Sequence, residues 1–173
     1  MAGWLIDPSP SLESRGHRLR RAALLAAAAI APDLDLLIGG HRGPSHGIGA
    51  AVFLGALVWM VRARGAEARR EGAGRFAFAS GVAYASHTLL DWLGSDNSPP
   101  IGVMALWPLS REYYESTLHV FMSISRRYWL PDFWTHNLRA VARELAILGP
   151  AAALVWFARR RRPGNRGATR REG

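Results

Sequence analysis

Four apolar stretches, Ala22–Ile38, Gly47–Val61, Phe76–Leu93 and Leu145–Ala158, alternate with polar ones along the chain. None shows sustained alternation of apolar and polar positions, so the pattern predicts helices and no sheet. Pro8 and Pro10 keep the start irregular. A first helix is expected from about Ser14 through the alanines toward Leu37, ended by Gly39 and Gly40. Ser45, after Pro44, is placed to cap a second helix. A third is expected from about Arg75 to Leu93, stopping at Gly94, and a last one from near Thr135 or His136 into the arginines beyond residue 158. The segment "SDNSPP" and Pro108 mark loop, and no internal repeat is present.

Length and charge turn this helical reading into a membrane reading. From Gly43 to Val61 no formally charged residue occurs over 19 positions. As a helix that run measures about 28 Å, close to the thickness of a bilayer's hydrocarbon core. The other three runs are shorter or carry acids, and mean hydropathy is −0.01. The chain of 173 residues carries a net charge of +9 and no cysteine, so thiolate metal sites and disulfides are excluded. Its arginines gather between the apolar stretches, in "SRGHRLRR", "VRARGAEARREGAGR" and "ARRRRPGNRGATRR".

Placing all three clusters in the cytoplasm gives four spans with both termini inside. The expected architecture is therefore all-α: a bundle of about four transmembrane helices forming one domain, residues 1–158. Residues 94–144 would form an extracytoplasmic helical or loop segment resting at the membrane interface. Trp107, Tyr113, Tyr114, Tyr128, Trp129, Phe133 and Trp134 suit that position. Five arginines in this segment work against the assignment, although long loops count less in the charge rule. Residues 159–173 read as a basic, disordered tail near anionic headgroups. The start has no basic region ahead of an apolar core, so it does not read as a cleaved signal peptide. Arginines in flanking clusters, not along one helix face, argue against nucleic acid as partner.

Three polar groups interrupt the apolar runs. Asp33 and Asp35 stand in "PDLD", two residues apart, and on a regular helix they would not share a target. His41 and His46 frame "HRGPSH". His87 and Asp91, in "SHTLLD", are four apart on one helical face, a spacing that lets an imidazole and a carboxylate hold one metal. In the four-span topology all six emerge on the extracytoplasmic side. A lone His or Asp in such a helix ordinarily caps or hydrogen-bonds, but an acid inside a membrane segment is costly and usually functional. Six nitrogen and oxygen ligands on one side make Asp33, Asp35, His41, His46, His87 and Asp91 the candidate metal ligands. Asp96 and Asn97, directly after the third helix, are secondary candidates. His17 lies about 24 Å from Asp33 along one helix, at the opposite end. His119 and His136 have no fixed place, and capping suffices to explain Glu144.

In order, "PDLD…HRGPSHG…SHTLLDWLGSDNSPPIGVMALWPLSREYY" resembles the small bacterial inner-membrane proteins called membrane-bound metal-dependent hydrolases. Their pattern is Asp-x-Asp, then His-Arg-Gly-x-Thr/Ser-His, His-x-x-x-Asp, and Gly-(Ile/Val)-x-x-x-x-Pro. The likeness runs from about Pro32 to Tyr114 and extends toward "HNLRAVARELAILGP". That family looks like a distant relative of zinc-dependent phospholipase C, which implies the same six residues as ligands here. Members often open with a histidine-bearing helix far upstream of the Asp-x-Asp. Here only 32 residues precede Asp33, so the resemblance implies fewer metals, or a site completed by His119 or His136. Ser45 stands where threonine is common and keeps the hydroxyl.

The expected function is hydrolysis of an ester, a phosphoester first, by metal-activated water. The expected cofactor is one or two divalent ions, zinc first, with manganese or magnesium as alternatives. Asp35 or Asp91 would bridge, Asp96 would act as general base, and Arg42 would meet phosphate or pair with Asp33 or Asp35. Membrane lipids would be partners, and a lipid or lipid-linked ester the substrate. The rival reading is a non-catalytic membrane protein whose His/Asp cluster senses or transports a metal. Transport would need polar residues continuing through the membrane, which the second and fourth apolar runs lack.

Overall fold

The computed structural model describes residues 15–40, 42–64, 72–97 and 99–160, with the side chains of 159 and 160 excepted. The expected tail from 161 onward and His41 lie outside the described residues. Four α-helices are present among them: α1 (Arg15–Ile30), α2 (Ile48–Ala63), α3 (Ala73–Leu93) and α4 (Phe133–Arg160). No strand occurs among the described residues, only the isolated bridges Gly94–Phe121 and Val103–Tyr114. The chain divides into two compact units between Ser123 and Ile124.

In the first unit, α3 packs against both α1 and α2. Its buried positions, Phe76, Ala77, Ala79, Ser80, Ala83, Tyr84 and Thr88, are mostly small, so neighbouring backbones approach closely. A Cβ added at Gly81 would lie 3.2 Å from the Ala51 carbonyl oxygen, and one at Gly55 would lie 3.4 Å from that of Ala77. Leu25, Phe76, Ala79 and Ala83 form the core, with Ala28, Ala29 and Val58 against it. Large apolar side chains on α2 face outward instead, Val52, Phe53, Trp59 and Val61 among them.

Two expected helices are shorter than their apolar runs. Instead of continuing to Leu37, α1 gives way to a 3₁₀ helix over Ala31–Ile38. Pro32 explains the break, because its ring removes a backbone donor and collides with the preceding turn. Gly39, at φ 79°, then ends the segment as expected. The 19-residue charge-free run is also divided: Pro44–His46 forms a 3₁₀ turn, Gly47 is extended, and α2 begins only at Ile48. Ser45 therefore does not cap α2, whose N-cap is Gly47 with no side-chain cap. Loop carbonyls take that role, as Ile48 N–H donates to Ala105 O at 2.9 Å and Gly49 N–H to Trp107 O at 2.8 Å.

The second unit holds α4, which begins at Phe133, two residues ahead of the expected start. Before it, Ser125 and Asn137 bond twice, Ser125 N–H to Asn137 Oδ1 at 2.8 Å and Asn137 Nδ2 to Ser125 O at 3.0 Å. Phe133–Ala158 is the one helix among the described residues long and apolar enough to cross a membrane. At 16 residues, α2 is apolar but shorter. As a helix it measures about 24 Å against a hydrocarbon core of about 30 Å.

Candidate metal centre

The three polar groups of the sequence meet where α1 ends, α2 begins and α3 ends. The 3₁₀ path after Pro32 carries Asp33 and Asp35 to opposite nitrogens of one imidazole, that of His46. Asp35 Oδ2 lies 3.2 Å from His46 Nδ1, and Asp33 Oδ1 lies 3.7 Å from His46 Nε2. The helical pair on α3 completes the group. Asp91 Oδ2 is 3.2 Å from His46 Nε2 and 3.7 Å from His87 Nε2, and His87 Nε2 is 3.3 Å from Asp33 Oδ1. His46, His87 and Asp33 each present a ligand atom within 4.8 Å of the other two. Asp91 faces both imidazoles from the remaining side.

Ligand atoms about 2.0–2.2 Å from one tetrahedral ion lie about 3.3–3.6 Å apart. The four separations between an imidazole nitrogen and a carboxylate oxygen, 3.2–3.7 Å, are near that spacing. The Nε2 of His87 and Oδ2 of Asp91 are buried and make no hydrogen bond among the described residues. Two imidazole nitrogens facing two carboxylate oxygens need positive charge between them, as protons on Nε2 or as a single cation. The donor set fits a cation that accepts both nitrogen and oxygen, which suits zinc better than calcium or magnesium. The His46 side chain is 0% exposed, whereas Asp33 is 43% exposed, so the centre opens on the Asp33 side.

His46 is fixed through its other nitrogen and its backbone. Asp35 Oδ2 accepts from Ser45 Oγ at 2.5 Å and lies beside Nδ1, an arrangement that keeps the Nδ1 proton and directs the Nε2 lone pair at the centre. Ser45 Oγ also lies 3.1 Å from Nδ1. Two α3 side chains hold the turn: Tyr84 Oη donates to Ser45 O at 2.6 Å and Thr88 Oγ1 to His46 O at 2.8 Å. Tyr84, His87, Thr88 and Asp91 thus form one polar stripe at helical spacing on a helix otherwise buried through small residues. Tyr84 and Thr88 were not singled out from the sequence, although their spacing from His87 and Asp91 carried the signal.

Arg42 pairs with neither Asp33 nor Asp35 by the distances found. Its Nη1 lies 2.7 Å from Asp96 Oδ2 and its Nε 3.7 Å from Asp91 Oδ2. Its φ of 60° is in the left-handed region, uncommon for a residue with a Cβ. Two contacts offset that strain, the ion pair with Asp96 and the Met104 N–H bond to Arg42 O at 2.9 Å. Asp96 Oδ2 also accepts from Gly102 N–H at 3.2 Å, and Asp96 N–H donates to Glu115 Oε1 at 3.0 Å. Asp96 therefore anchors both Arg42 and the Gly102 backbone.

His119 Nε2 lies 3.5 Å from Glu115 Oε1 and its side chain is 51% exposed. His17 is near the start of α1, and His136 belongs to the second unit. Asn97 Nδ2 donates to Ser123 Oγ at 3.0 Å. The loop that follows α3 returns to the end of that helix. Ser116 N–H returns to Trp92 O at 3.0 Å and Phe121 N–H to Leu93 O at 3.3 Å.

Residues 4–162 match the model of the family described as YdjM inner membrane protein. No curated protein and no solved structure matches the chain. The family description concerns the membrane and is silent on chemistry. The match takes in all four α-helices and every residue of the centre, and the chain belongs to the YdjM inner membrane protein family.

Proposed function

We propose that this chain is a metal-dependent hydrolase of the inner membrane, with one divalent ion, zinc first, held by Asp33, His46, His87 and Asp91. The observation that carries the reading is the convergence of Asp33, His46 and His87 from three separate chain segments, each with a ligand atom within 4.8 Å of the other two, with Asp91 Oδ2 3.2 Å from one imidazole nitrogen and 3.7 Å from the other. A divalent cation held there supplies Lewis acidity and brings bound water toward neutrality in its ionisation. Everything else is the work of this chain's side chains. Asp35 and Ser45 hold the His46 tautomer, while Tyr84 and Thr88 fix the depth of the turn. Arg42 and Asp96 brace Asp91 from the loop side, so Asp96 serves as a positioning residue in this reading and not as the general base. Asp33, the most exposed of the four, lies where a substrate would enter.

The proposed substrate is an ester, a phosphoester first, on a lipid or lipid-linked molecule. In the proposed topology the chain crosses the membrane four times with both termini cytoplasmic, and the centre lies near the extracytoplasmic face. The outward apolar surface of α2 and the composition of Phe133–Ala158 support that topology. The experiment is a phosphomonoester and phosphodiester panel run on detergent-purified protein, before and after chelation and zinc return. Hydrolysis abolished by chelation, restored by zinc and lost in Asp33→Asn supports the proposal. Bound metal with no turnover on any substrate would favour a metal-sensing role.

A further inference from the structure

The 3₁₀ helix that brings Asp33 and Asp35 to the metal centre exposes its aliphatic side chains. Leu34 is 62% exposed, Leu37 82% and Ile38 87%. With three residues per turn, positions i and i+3 of such a helix share a ridge. Asp33 therefore shares one with Leu36, itself an exposed residue, and Leu34 and Leu37 form another. Asp35 is the one charged residue from Leu34 to Gly40, and it is turned to His46 with its side chain 9% exposed. What this segment offers to its surroundings beside Asp33 is thus aliphatic. A second segment at the same end of the unit repeats the pattern. The loop whose Ala105 and Trp107 carbonyls meet the start of α2 exposes Leu106 and Leu109, the latter to 87%.

Single exposed leucines are ordinary on a protein surface, but aliphatic side chains grouped on two segments beside one site mark a contact. The chain belongs to an inner-membrane family, so a bilayer is at hand to cover them. A second copy of the chain fits less well. Protein interfaces favour Tyr, Trp, Met and Arg, and a standard one takes about 20–30 residues a side. This rim is leucine and isoleucine and far smaller. Depth points the same way. An acid is costly in hydrocarbon, so Asp33, 43% exposed, belongs at the level of the headgroups. Leu37 and Ile38 lie up to about 8–10 Å further along the 3₁₀ axis. Apolar faces of interfacial helices sink by a similar amount, about 5–10 Å.

We propose that the metal centre opens onto lipid, with Leu37, Ile38 and Leu109 seated among the acyl chains of one leaflet and Asp33 at headgroup level. A lipid then reaches the centre sideways from the bilayer. That route rests on the proposed function, whereas the lipid contact does not. The chain has no cysteine, so Leu37→Cys and Leu109→Cys each accept a single nitroxide label. The full chain is placed in vesicles of phosphatidylethanolamine and phosphatidylglycerol, with helicity matched to the wild type by circular dichroism. Electron paramagnetic resonance compares collisions of the label with oxygen, which concentrates in hydrocarbon, and with a water-soluble nickel chelate. Oxygen should dominate at the Leu37 and Leu109 positions, at a depth of about 5–10 Å below the headgroups. The nickel chelate should dominate for a label at Glu112→Cys, an exposed charged position on the same loop. Nickel-dominated collisions at the Leu37 and Leu109 positions would place the rim in water and overturn the proposal. Spin–spin broadening there, relieved by dilution with unlabelled chain, would overturn it in favour of a contact between copies. Oxygen dominance at the Glu112 position as well would contradict it, because depth would not follow the aliphatic positions. The measurement reads neither metal nor turnover. A rim in water therefore leaves the hydrolase reading standing, and a centre without activity leaves the lipid contact standing.

Discussion

The two ends of the α1–α3 unit are both polar, but they are built on different principles. At the end carrying the candidate metal centre, polar side chains hold one another in place. His46 is flanked by Asp35, Asp35 by Ser45, and the turn itself by Tyr84 and Thr88. At the other end the Arg21 and Arg62 guanidiniums lie over the Phe76 ring, and the neighbouring apolar side chains are exposed. The first end has geometry suited to a small ion; the second sets cations beside exposed apolar surface. Preorganised polar networks are costly to disturb.

That contrast can be broken by substitution, and the largest effect is expected at Asp35. Asp35→Asn keeps the shape beside His46 but removes the charge that holds its Nδ1 proton. Zinc affinity, measured by competition with a chelating dye, should fall about ten- to a hundredfold. An unchanged affinity would mean that His46 needs no such support. Next is Gly49→Ala. A Cβ there would lie 2.5 Å from Pro108 Cδ and 3.0 Å from Trp107 O, so the loop that caps α2 must move. A loss of roughly 1–3 kcal/mol in chemical denaturation is expected. Thr88→Val removes one buried hydrogen bond to His46 O at nearly constant volume and should cost about 1–2 kcal/mol, with a smaller loss of metal affinity than Asp35→Asn. The smallest effect sharpens the comparison from the other side. Arg21→Gln should leave zinc affinity within about twofold, because distant sites act additively. A larger change would mean that the two ends communicate.

Much of this was legible in the sequence, and the misses have particular physical causes. Apolar runs located all four helices, and Gly39 marked an end. Pro32 lay in plain view, yet the alanine run outweighed it, so α1 was expected to run through residues that form a 3₁₀ helix. Composition could not show that Gly47 is extended, and a run of 19 uncharged positions therefore yields an α-helix of only 16 residues. The number of membrane spans depends on that difference. At the centre, residue types and spacing singled out Asp33, His46, His87 and Asp91, which the fold brings together. Spacing could not distinguish Asp33 from Asp35, because which nitrogen of His46 each meets depends on the local 3₁₀ geometry. Nor could it foresee Arg42 turning toward Asp96, since a left-handed arginine is set by the loop it bonds to.

The proposed metal centre rests on Asp33, His46 and His87, with Asp91 beside both imidazoles. Its most direct test is the metal content of detergent-purified protein by inductively coupled plasma mass spectrometry, wild type beside His87→Ala and the opposite-end variant Arg62→Gln. About one divalent ion per chain in the wild type and in Arg62→Gln, with near-zero metal in His87→Ala, is the predicted result. Equal metal in all three, or none in the wild type after growth and purification with zinc, would contradict it and leave these side chains as a hydrogen-bonded polar cluster.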